Sequence, residues 1–134
     1  MCLIRRVAGN IGIIMEQVYD KLVRDKIPEI IEAYGEKAIT RILGDDEYWE
    51  YLLKKDQEEL EEVREATSIL ERKKELADKL ELICTMAIYS GFSLEDILEE
   101  ANQKEQKNGG FSKRILLEKV IEEQFWDGEE YYTL

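Results

Sequence analysis

The chain of 134 residues contains no histidine. That excludes Ser-His-Asp and Cys-His catalysis, and any zinc site that needs imidazole. Its two cysteines, Cys2 and Cys84, stand too far apart for a redox or zinc motif. Cys84 lies in the apolar run 80–84 and reads as a small core residue. The simplest compartment for such a chain is a reducing cytoplasm. The single proline, Pro28, leaves long helices free to run without interruption. No apolar run reaches the roughly 20 residues needed to span a bilayer, so no membrane partner is expected. Positive charge is also scarce: 19 basic residues face 31 acidic ones, for a net charge of −12. A field of that sign does not hold nucleic acid, which is excluded as a partner. It also repels phosphates at long range. An acidic enzyme working on nucleotides would therefore need divalent cations and a local basic patch.

What is present fits one globular domain with charged outer faces. Hydrophobic residues make up 44% and charged residues 37%, too apolar a mix for a wholly disordered chain. The opening residues 1–14 carry early arginines and a short apolar part broken by Gly9, Asn10 and Gly12. No convincing cleavage site follows, so Met15 as the natural start is favoured over a signal peptide. The domain is then residues 15–134, with 1–14 as an extension.

Pro28 suits the first turn of a helix through Tyr34, with Gly35 as its stop. Residues 37–43, rich in β-branched side chains, read as a short strand or an extended linker. A long second helix is expected over 46–66, with Leu52, Leu60 and Val63 on one buried face and Tyr48 and Trp49 adding bulk. A break is expected near Thr67-Ser68. A third helix over 71–90 is apolar on most sides and should be the most buried element. Ser93 to Asp96 is a capping signature for a fourth helix, ending near Lys107. A short helix through Leu117 and Val120 is allowed in the tail, and the aromatic end is left unplaced. The class is all-α.

The chemistry begins with carboxylates. Glu59 and Glu62 are three apart and share a helix face, as do Glu75 and Asp78 on the next helix. In an antiparallel hairpin both pairs centre on the Ser68/Ile69 junction, so Glu62 should face Glu75 and Glu59 should face Asp78. Four carboxylates in a small volume must take up protons or bind a cation. Oxygen ligands without imidazole or thiolate suit Mg²⁺ or Mn²⁺. A solvated acidic helix face is the competing reading. Against it stand the shared centre and the place of Asp78, which leads into the most apolar helix.

Glu58-Glu59-x-x-Glu62, then Glu75-x-x-Asp78 after residues 63–74, resembles the signature of the MazG superfamily of nucleoside triphosphate pyrophosphohydrolases. Residues 21–28, KLVRDKIP, look like the opening motif of its phosphoribosyl-ATP pyrophosphohydrolase-like branch. Asn108-Gly109-Gly110-Phe111 is similar to that branch's Gly-Gly-Phe turn, with Asn108 where arginine is more common. The resemblance covers about residues 17–120. It implies an antiparallel bundle of four to five helices completed by dimerisation, as a homodimer or dimer of dimers. It implies Mg²⁺-dependent hydrolysis of a nucleotide substrate to a monophosphate and pyrophosphate, for example of non-standard or damaged nucleotides. By the same resemblance Glu59, Glu62, Glu75 and Asp78 are metal ligands, and Glu58 either supports those ligands from outside or helps orient the attacking water. Lys21, Arg24 and Lys26 are the candidate phosphate-binding patch, their other reading being surface charge paired with Asp20 and Asp25. Lys104 and Arg114 are further substrate-binding candidates, with Asn102 and Lys107 nearby. Hydrolysis of phosphoribosyl-ATP and a non-catalytic acidic interaction module are the alternatives.

Overall fold

The structure, a computed structural model, describes residues 2–6 and 13–122. Two strands, β1 (Cys2–Arg6) and β2 (Ile13–Gln17), pair antiparallel with Leu3 opposite Glu16. β2 therefore runs across the boundary expected at Met15. Four helices follow: α1 (Ile27–Ala33), α2 (Asp45–Glu65), α3 (Ile69–Tyr89) and α4 (Leu94–Asn108). The chain divides into two compact units, Met1–Ile97 and Leu98–Leu134, and the division falls within α4.

Local chemistry sets the helix ends. Pro28 sits in the first turn of α1, where its missing N–H costs nothing. Gly35 closes that helix with φ +84°, a conformation only glycine adopts freely. Three acids in the first turn of α2, Asp45, Asp46 and Glu47, face the positive end of its dipole. The α2–α3 break falls at Thr67-Ser68. Ser68 caps α3 by accepting from the Glu71 N–H at 3.1 Å, and Glu71 accepts in return from the Thr67 N–H at 2.8 Å. α3 ends in a Schellman turn: Gly91 has φ +89°, and the Phe92 N–H reaches the Ala87 carbonyl at 2.8 Å. At the start of α4 the Ser93 hydroxyl accepts from the Asp96 N–H and the Asp96 carboxylate accepts from the Ser93 N–H, as the capping signature predicts.

α2 and α3 form an antiparallel hairpin. Lys79 binds Asp56 at 2.7 Å midway along it. At its far end Tyr89 stacks on Trp49 with ring centres 5.1 Å apart, and donates its hydroxyl to the Asp45 carbonyl. Tyr48 meets the same ring edge-on at 5.8 Å. The aromatic bulk at the start of α2 is thus used in packing. Leu52, Leu82 and Ala87 are buried, and Leu52 is fully enclosed.

Four expectations change. α3 is not a buried element: Leu76, Leu80, Ile83 and Ile88 are 42–71% exposed, because one partner helix covers only one side of it. Leu60 is exposed rather than on the buried face, while Val63 is half-buried. Cys84 is half-buried rather than in the core. No helix forms between Ser112 and Glu122; the segment is irregular and exposed throughout, with too little tertiary packing to hold a short helix. Residues 37–43 take the linker alternative, without strand pairing. The aromatic end, from residue 123, lies outside the described residues.

Candidate functional site

The α2–α3 hairpin brings Glu59, Glu62 and Glu75 together. One carboxylate oxygen from each lies within 4.8 Å of the others. Glu59 is only 5% exposed, while Glu62 and Glu75 are half-buried. Glu59 Oε2 and Glu75 Oε2 are buried and have no hydrogen-bond partner among the described residues. An ionised carboxylate so placed is costly unless it is protonated or paired with a cation.

Burial pushes the Glu59 carboxyl above the ordinary range, helped by a hydrogen bond and charge repulsion from Glu62. Glu62 is raised chiefly by its hydrogen bond to Glu75, then by desolvation. The three acids thus crowd one another, as the hairpin register predicts for Glu62 and Glu75.

Asp78 stands outside that trio. Its Oδ1 accepts from Arg24 Nη2 at 2.6 Å. Glu58, beside the trio on α2, accepts from Lys21 Nζ at 2.8 Å and from Lys55 Nζ at 3.3 Å. Lys21, followed by Lys55, holds the Glu58 carboxyl below the usual range. Lys21 and Arg24 therefore do not pair with Asp20 and Asp25; both reach across to the hairpin. Asp20, at φ +47°, bends the backbone just before them and accepts from the Tyr51 hydroxyl at 3.3 Å.

Lys26 is exposed at the N-cap position of α1. Lys104 and Arg114 belong to the second compact unit, and both are exposed. Arg114 has φ +59°, in the turn that follows Gly109-Gly110. One cation at the cluster was not singled out from sequence. Lys55 Nζ lies 3.4 Å from Glu59 Oε1 as well as against Glu58, with its side chain 19% exposed. Its spacing of three and four residues before these acids is the signal that could have identified it. A separate open groove of about 310 Å³, lined by apolar side chains such as Met86, Phe92 and Ile97, carries no titratable group.

A protein of Mycolicibacterium smegmatis (strain ATCC 700084 / mc(2)155), described as an uncharacterized protein, is 52% identical to this chain over 46 residues. The match covers 34% of this chain and 47% of that protein, so the chain spans about half of the relative's length. No family model and no solved structure matches the chain. No helix among the described residues is long and apolar enough to cross a membrane.

Proposed function

We propose that this chain is a Mg²⁺-dependent nucleoside triphosphate pyrophosphohydrolase of the MazG type. The observation that carries the reading is the buried Glu59, with an unpartnered oxygen, gathered with Glu62 and Glu75 across the hairpin. The donors are all hard carboxylate oxygens, which suit Mg²⁺ or Mn²⁺. Glu59, Glu62 and Glu75 would hold the cation, joined by Asp78 from the next turn of α3. A Mg²⁺ ion held there would neutralise phosphate charge and make a bound water more acidic. Glu58 orients the water that attacks the α-phosphorus. The α–β anhydride bond breaks, and pyrophosphate leaves from the nucleoside monophosphate.

The chain's net charge requires a local cationic patch for such a substrate. Lys21 and Arg24 supply it beside the acids, and Lys26 adjoins them in sequence. The exposed row Leu76, Leu80 and Ile83 on α3 supports assembly as a homodimer or a dimer of dimers, which would complete a helical bundle. A reducing cytoplasm suits the free Cys84 thiol.

Release of pyrophosphate from a panel of NTPs and dNTPs with Mg²⁺ tests the reading. Glu62→Gln and Asp78→Asn should each abolish turnover while the far-UV dichroism of the helices is retained. Turnover undiminished in both variants would remove the hairpin from the chemistry.

A further inference from the structure

We infer that Arg24 is an exchangeable counter-ion, which holds Asp78 in the cation-free protein and turns to substrate phosphate when Asp78 takes a divalent cation. The inference rests on the metal-dependent reading above and adds how the site changes partners. The spacing predicts that Asp78 faces Glu59, yet among the described residues only Glu59, Glu62 and Glu75 bring their oxygens together. Asp78 is instead occupied by the Arg24 guanidinium at 2.6 Å. The acid stands on a long helix. The base stands on the segment between β2 and α1, which has neither helix nor strand, and it is the more exposed partner at 58% against 37%.

An ion pair this open to water is weak and easily exchanged. Beyond its hydrogen bond to Asp78, Arg24 also feels the charges of Glu81 and Glu59. Neutralising those acids with a divalent cation removes what holds the guanidinium. A triphosphate then offers it pairs of oxygens that accept bidentately, which the planar guanidinium matches better than an ammonium does. Lys21 stands in the same relation to Glu58. The segment thus shields the acids with two internal cations in the absence of metal, and the same cations become the phosphate patch.

The test is calorimetric titration of the full chain with Mn²⁺ alone, at fixed ionic strength. Arg24→Gln should tighten Mn²⁺ binding by about two- to fivefold, the scale set by an exposed ion pair. The same substitution in an Asp78→Asn background should give no gain. Arg41→Gln is the control for net charge: it breaks a 2.6 Å pair with Glu47 elsewhere and should leave Mn²⁺ affinity unchanged. Arg24→Gln should also raise KM for the nucleotide, the reverse of its effect on the metal. Wild-type binding with no tightening in Arg24→Gln overturns the inference alone. An equal gain in Arg41→Gln overturns it too, since the effect would then be one of net charge. Failure of the wild-type chain to bind Mn²⁺ overturns both the inference and the function it rests on.

Discussion

Glu59 is the side chain on which the site turns. A buried carboxyl with one orphaned oxygen and two acidic neighbours is unfavourable in its ionised form, so its ionisation is linked to folding. Glu59 and Glu62 both have folded-state pKa values raised above their unfolded ones. The folded state therefore holds those protons more tightly. Stability is fullest where both are protonated and declines as pH rises from the ordinary carboxylate range through the raised values. Glu58, lowered by Lys21, works in the opposite direction: its contribution is lost as pH falls through its depressed pKa. In EDTA, the melting temperature of the wild-type chain should fall more steeply with rising pH than that of Glu59→Gln, and Mg²⁺ should lessen the difference. Parallel melting curves for the two proteins would show that Glu59 is not strained by its charge. The identity of these acids was readable from spacing, since helical period and hairpin centre need no tertiary knowledge. The partner of Asp78 was not readable. Arg24 lies far away in sequence on an irregular segment, and no periodicity describes such a contact.

The hairpin, rather than any single side chain, fixes the geometry of the cluster. Its register depends on where α2 stops and α3 starts, and that boundary is held by Ser68, Thr67 and Glu71. Ser68→Ala removes the cap and should cost about 1 kcal/mol, measured by urea or thermal unfolding. An unchanged stability would mean that packing at Leu52 and Leu82 alone sets the register. Helix ends were legible to within a residue or two because their signals are local: Pro28 and Gly35 for α1, the poor helix formers at 67–68, and Ser93 with Asp96 for α4. The tail was not legible. Leu117 and Val120 have a helical spacing, but spacing yields a stable short helix only when something covers the apolar face. Burial of α3 was misjudged for a related reason. Sequence shows that Leu76, Leu80 and Ile83 are apolar, but not whether one chain can cover them.

At the scale of the whole molecule, the described helices leave that apolar row uncovered, and a second copy of the chain is the partner proposed for it. Sedimentation equilibrium at micromolar concentration should give a mass of two or four chains, and Leu80→Glu should shift it toward one. A single-chain mass for the wild type would contradict the assembly. The molecule's net charge of −12 bears on the function as well. A triphosphate approaches such a surface only where cations offset it, so turnover should depend on both the divalent ion and the basic segment at Lys21 and Arg24. The central claim is the reaction itself, and separating the products by anion exchange tests it most directly. Incubated with Mg²⁺ and a panel of NTPs and dNTPs, the folded chain should convert at least one of them to monophosphate and pyrophosphate in equal amounts, and EDTA should stop the conversion. No conversion of any of them, or release of orthophosphate and diphosphate instead, would contradict it.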